Sequence, residues 1–459
     1  MSFPGLPPIQ PPNLNWDFPD ARRSELSNGL RVVVLPSRRL PMVRVRLVIP
    51  GGRCREAQGA KPGVAGLTMR CARYGTRHHS ASELAHTLDS LGTQLSCGAT
   101  LDGLSFSVQC LSEHLAQSLD LLSEVVLFPV FSESEVEREK GKIIASKHQA
   151  AASPSGTSGL WMGQLLFGNH PYGHPTASPE EMAALVADDL RSFHAQVVRP
   201  AEAVLVVVGD VSEHEVVELI EARLGDWSGA APSVQPPVWI DSEVDDSFLV
   251  LDRPGSTQTH VLLGLRGLKR SHPDHLKLSC LNHIFGGGAS GRLFKDLREN
   301  RSLTYGCSSS LDSGVFGGDL VASLSCSSEN TTAALAALMD QTHRICREPV
   351  EASELEACVR YKVGAWPKSG STLGGLAGLL MLREIHNLPD DTWSRYPEML
   401  RRLGVSDLTA GAQRHLDFSR KAVVLVGDAR ALAPALEDLG TLRILPVEQR
   451  PSREPASSD

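Results

Sequence analysis

The sequence has no excess of positive charge, no long apolar run and no paired cysteines. Lys and Arg number 45 against 53 Asp and Glu, a formal charge of −8. Nucleic-acid phosphates require a basic face, so that class of partner is excluded. No polybasic cluster suggests a membrane surface, and no stretch reaches the roughly 18 apolar residues that a membrane helix needs. The opening Met1-Ser2-Phe3-Pro4-Gly5-Leu6 has neither a positive start nor an apolar run, so no signal peptide is expected. Nine cysteines, an odd number, are scattered without Cys-x-x-Cys spacing or histidines at ligand distance. They read as reduced thiols of a cytoplasmic protein, and no metal centre is expected from them.

Apolar material, in contrast, is ample. The 459 residues are 41% hydrophobic and 21% charged, a globular balance that suits two domains of about 200 residues each. An internal repeat supports the division. The run Val204–Asp210, ending Gly209-Asp210, recurs as Val423–Asp428, ending Gly427-Asp428, with an offset of 218 residues. Pro36 and Pro254 stand at the same offset, and Pro129-Val130 with Ser132-x-x-Glu135 returns as Pro349-Val350 with Ser353-x-x-Glu356. So long a period means two copies of a whole domain.

Each copy reads as strands, helices and a closing strand. Arg31–Leu35 and Val43–Ile49 are β-branched runs. Ser80-x-x-Glu83 is a capping box that opens a helix carrying Leu84, Leu88 and Leu91 and stopped by Gly92. Residues Leu95–Leu111 form a hairpin around Asp102-Gly103, and Leu115, Leu119, Leu122 and Val126 mark a further amphipathic helix. The expected class is α/β (α+β), two homologous domains in a clamshell, each a mixed sheet covered by helices. Residues 19–227 make the first domain, Pro-rich 228–240 the linker, 241–447 the second domain and 448–459 a disordered tail. Residues 1–18 are expected to be a mobile arm.

These features resemble the insulinase/pitrilysin family of zinc peptidases, the inverzincins, from Asn28 to Asp428. Family members carry Gly-Val-Ala-His-x-x-Glu-His followed by Gly-Thr. Here the frame is Gly63-Val64-Ala65-Gly66-Leu67-Thr68-Met69-Arg70, then Gly75-Thr76. The resemblance places Gly66 and Arg70 where two histidine ligands belong, and Met69 where the general-base glutamate belongs. It puts Ser146 at the third ligand, with the supporting Glu139 kept. Catalytic zinc needs three protein ligands, so no metal and no cofactor is expected in this chain.

In the second half, Gly286-Gly287-Gly288-Ala289-Ser290-Gly291 resembles the family's glycine-rich turn. It lacks the Gly-Lys-Ser/Thr ending of a phosphate loop, and its expected role is close backbone approach to substrate or partner. Arg298 and Tyr305 keep the family's seven-residue spacing. The resemblance makes Tyr305 an oxyanion donor and Arg298 a clamp for a substrate carbonyl. The remaining histidines read as structural: His170 and His174 in a Pro/Gly loop, His78-His79 at the surface, His283 in an apolar helix.

The resemblance therefore implies a non-catalytic subunit of a heterodimeric zinc peptidase. A sister subunit with an intact His-x-x-Glu-His would hold the zinc, and a peptide or unfolded polypeptide would be the substrate. The alternative is an inert scaffold or peptide-binding protein of the same fold.

Overall fold

The computed structural model describes residues 16–151, 153–230, 248–436 and 440–451. Residues 1–15, the expected linker from residue 231 and the tail from residue 452 lie outside the described residues.

Six strands from each half form two sheets. β1 (Arg22–Glu25), β2 (Arg31–Pro36), β3 (Met42–Pro50), β4 (Gln94–Ala99), β5 (Gly103–Leu111) and β6 (Val204–Gly209) lie in the order β1-β2-β6-β3-β5-β4. β7 (Phe248–Asp252), β8 (Gln258–Gly267), β9 (Gly306–Ser313), β10 (Gly318–Ser327), β11 (Ala422–Gly427) and β12 (Leu442–Pro446) lie in the order β12-β7-β11-β8-β10-β9. The β2–β6 and β7–β11 pairs are parallel. From β6 through β3 and β5 to β4, and from β11 through β8 and β10 to β9, neighbours are antiparallel. Both sheets are mixed and helix-covered, so the class is α/β.

β6 and β11, the repeated Val-rich runs, occupy the same central place. The sixth strand differs. β1 reaches its edge from the N-terminal side and runs antiparallel to β2, whereas β12 reaches the matching edge from the C-terminal side, parallel to β7. Two landmarks of the repeat shift. Pro36 faces Gly209, but Asp252 faces Gly427, so Pro254 lies beyond the strand and is not the counterpart of Pro36. Helix Ala352–Ser369 is capped from Glu351, whose N–H donates to the Glu354 carboxylate at 2.9 Å, in place of the Ser353-x-x-Glu356 box that the sequence suggests. The first-half box at Ser80 and Glu83 forms as the sequence implies, on helix Ala81–Ser90.

The central strands are apolar on every residue because both of their faces are covered. Leu205 and Val207 join the core of the first half, while Val204, Val206 and Val208 face the other way. What covers that second face is helix Leu373–Ile385 from the second half, through Leu376, Leu380 and Met381, beside Trp366 and Trp393. Burying each of these large side chains contributes about 1.5–3 kcal/mol. The exchange is reciprocal. Helix Pro154–Phe167 of the first half lays Trp161, Met162 and Leu166 on Leu249, Leu251, Val424 and Val426 of the second sheet. Gly264 permits this approach, since a Cβ there would collide with Met162 Sδ.

The first and last described segments join the packing. Trp16 lies 5.5 Å from Trp366 and Phe18 is buried, so this part of the expected arm is core. Gln449 O accepts from Trp161 Nε1 at 3.1 Å, and Arg450 donates to Thr176 O at 2.6 Å, so residues 448–451 are not the loose tail expected. No helix among the described residues is long and apolar enough to cross a membrane.

Candidate functional site

Helix Val64–Cys71 carries Gly66, Met69 and Arg70. Its start is fixed by Glu56, whose carboxylate accepts the N–H groups of Gly63 and Ala65 at 3.0 Å each. Gly63 itself has φ of 84° and no room for a Cβ beside Ala177 and Met182, so only glycine suits the entry. Met69 is fully buried in the core. A Cβ at Gly66 would meet nothing within 4 Å.

Arg70 turns to helix Glu133–Ala151. Its Nε donates to Glu139 Oε2 at 3.2 Å, while Lys142 Nζ meets Glu139 Oε1 at 2.7 Å. Burial works to raise the Glu139 pKa, but the hydrogen bonds from Lys142 and Arg70 outweigh it and the net shift is downward. Ser146 lies exposed near the end of the same helix. A glycine, a core methionine, an ion-paired arginine and an exposed serine do not fit a zinc ion.

In the second half, Arg298 and Tyr305 flank the entry to edge strand β9. Arg298 is exposed, its guanidinium 4.6 Å from the Phe294 ring centre. It acts on Cys307, two residues past Tyr305: burial pushes that thiol up to about 11, and the Arg298 charge opposes the rise. Tyr305 is 92% exposed, and its hydroxyl has no hydrogen-bond partner among the described residues. Thr304, which the sequence did not single out, pins the turn. Its buried hydroxyl donates to Ser325 O at 2.6 Å and accepts the Gly306 N–H at 3.1 Å.

The glycine turn serves packing. A Cβ at Gly286 would sit 2.6 Å from Leu293 Cδ1 and 2.9 Å from Ser309 N of β9. Those at Gly287 and Gly288 would strike Asn282 and the His283 ring. None of the three has a positive φ, so space and not backbone conformation demands glycine.

The other histidines are structural. His170 is buried, accepts the Tyr172 N–H at 3.1 Å, and is pulled down to about 4, chiefly by burial. His79 Nδ1 lies 2.8 Å from Glu124. His283 is half-buried, stacked on Tyr361 at 4.7 Å.

Sequence reading missed one cluster, His272, Asp274 and His415, whose ligand atoms lie within 4.8 Å of one another. Hydrogen bonds from His415 (2.9 Å) and Lys277 (2.7 Å) hold the Asp274 carboxyl well below the usual range, and Arg414 adds a third contact at 3.2 Å. His272 Nδ1 accepts the Asp274 N–H at 3.0 Å, which leaves the neutral ring's proton on Nε2. The cluster pins two helices and offers no vacant lone pair from His272. No local spacing announces it, since His415 is 141 residues from Asp274.

Two helix-covered six-stranded sheets with exchanged helices define a two-domain α/β fold. The insulinase (peptidase family M16) model matches residues 31–179, and the peptidase M16 inactive domain model matches residues 184–361. The chain belongs to the peptidase M16 family. It is 27% identical over 420 residues to an uncharacterized zinc protease of Mycobacterium leprae, covering 90% of this chain and 88% of the relative. It is 27% identical over 346 residues to the uncharacterized zinc protease YmxG of Bacillus subtilis, covering 73% and 81%. The crystal structure of a peptidase M16 inactive domain from Pseudomonas fluorescens aligns with TM-score 0.82 and 25% identity, over 89% of this chain and 98% of that one. A protease from Helicobacter pylori shares the fold, with TM-score 0.81, 19% identity, and 89% and 100% covered.

Proposed function

We propose that this chain is a non-catalytic subunit of a heterodimeric zinc peptidase. It would supply Arg298 and Tyr305 to a sister subunit whose intact His-x-x-Glu-His holds the zinc. One contrast carries the reading. At the motif positions Arg70 is tied to buried Glu139, whereas Tyr305 is 92% exposed with an unpartnered hydroxyl. A phenol held out by a pinned turn is suited to donate to an oxyanion that this chain does not itself generate. Gly286–Gly288 set the close packing behind β9. Among the described residues the outer edges of β4 and β9 have no strand neighbour, so an extended peptide could pair with either. The expected cytoplasmic location suits reduced thiols, and all nine cysteines are free.

The test is peptidase activity of the chain copurified with a candidate zinc-bearing sister. Tyr305→Phe should lower kcat by about 10²- to 10³-fold, with pairing and melting temperature unchanged. Full activity in the variant pair would transfer the chain to the scaffold reading.

A further inference from the structure

A cavity of about 850 Å³ opens at the seam between the halves. Its first-half wall is the last turn of helix Glu133–Ala151, with Lys147 and His148, and the start of helix Pro154–Phe167. The second half contributes Arg253, just after β7, and Arg450, after β12. A neighbouring hollow of about 590 Å³ shares Arg253 and Pro254 and continues along Ser256–His260, so the two make one elongated cleft.

The charge in this cleft is unbalanced. Arg253 makes no side-chain hydrogen bond or ion pair among the described residues. Among the described residues, Lys147 hydrogen-bonds only to a hydroxyl, Thr176 Oγ1 at 3.3 Å, and Arg450 only to a carbonyl, Thr176 O at 2.6 Å. All three are half-buried, whereas the two lining carboxylates, Glu180 and Glu448, are exposed and more screened. Burial is the largest cause pulling the Lys147 ammonium down to about 8; the charges of Arg450 and Arg53 add to it, and Glu181 and Glu56 oppose it. Helix Pro154–Phe167 adds its positive end, because Ser153 supplies no side-chain cap.

We propose that the seam cleft binds an acidic peptide segment, whose carboxylates meet Arg253, Lys147 and Arg450. With about 850 Å³ and an adjoining 590 Å³, the cleft is far larger than one small anion. Its apolar stretches at Leu160, Pro179 and Val447 suit side chains between the carboxylates. A formal charge of −8 disfavours nucleic acid as the occupant. The proposal does not depend on a sister subunit, since every group named belongs to this chain.

The experiment is fluorescence anisotropy of a labelled Glu-rich octapeptide and a Lys-rich control, with the full chain alone. The Glu-rich peptide should bind more tightly, and more weakly as salt rises. Arg253→Gln should weaken it about tenfold, the loss of one charge-assisted contact. Lys147→Gln should do likewise, and exposed Arg39→Gln on β2–β3 should not. Melting temperature serves as the folding control. Equal binding of both peptides, or full affinity in Arg253→Gln and Lys147→Gln, would overturn the proposal. Displacement by equimolar inorganic phosphate would reduce the cleft to a small-anion site and overturn it as well. Because no zinc-bearing subunit is present, these outcomes are independent of the Tyr305→Phe result.

Discussion

Arg70 Nε lies 3.2 Å from Glu139 Oε2, which places a guanidinium against the buried carboxylate of the neighbouring helix. The nearer partner of that carboxylate is Lys142, at 2.7 Å. Arg70 and Lys142 thus satisfy Glu139, with Arg138 a further cation at 3.7 Å. The positive charge at Arg70 would repel a divalent ion as well as fail to bind it.

The purified chain should therefore hold far less than one zinc per molecule after dialysis, measured by elemental analysis. A stoichiometric zinc released only on unfolding would contradict the reading of Gly66, Met69, Arg70 and Ser146.

Arg298→Ala should raise KM and lower kcat together in the assembled pair, because a carbonyl clamp acts on bound substrate before and during the chemistry. Steady-state kinetics read the split. Arg298 is exposed and forms no ion pair among the described residues, so stability should change by less than about 0.5 kcal/mol. A loss confined to kcat would assign Arg298 a different role.

Asp319 and Asp312 face each other across β10 and β9. Burial, and then the Asp312 charge, push the Asp319 carboxyl up to about 7. A pKa raised on folding means that the native state binds the extra proton, so this group favours folding at low pH. That contribution falls as pH rises from the unfolded value of about 4 towards 7, and is then gone. Asp319→Asn should raise the melting temperature relative to the parent, by an amount that grows between pH 4 and pH 7 and then levels. A constant difference across that range would show that Asp319 titrates normally.

The exchanged helices should make unfolding a single event. Leu380, fully buried against β6 although it belongs to the second half, is the place to test this. Leu380→Ala should cost about 2–5 kcal/mol. Calorimetry should show one transition shifted as a whole. Two separated transitions, with only one displaced, would mean that the halves unfold independently.

What the sequence determined by itself was local or repetitive. The Ser80–Glu83 cap needs only residues one turn apart, and the Val-rich runs at β6 and β11 announce themselves as buried strands wherever they are placed. The lack of any His-x-x-Glu-His is a fact of the chain, as is the Arg298–Tyr305 spacing. The second cover of each sheet was decided by tertiary structure. An apolar helix such as Leu373–Ile385 records that it must be buried, but hydrophobic burial is non-directional and does not name the surface. The choice is made by contacts such as Arg23 to Glu384, at 3.0 Å across 361 residues of sequence. The same holds for Thr304, whose role exists only because Ser325 lies opposite it, and for the seam cleft, whose cations come from three separate segments. Side-chain period and capping are encoded within a turn or two. Which distant groups meet is set by the packing of whole elements, and there the positions of Tyr305 and Arg253 were fixed.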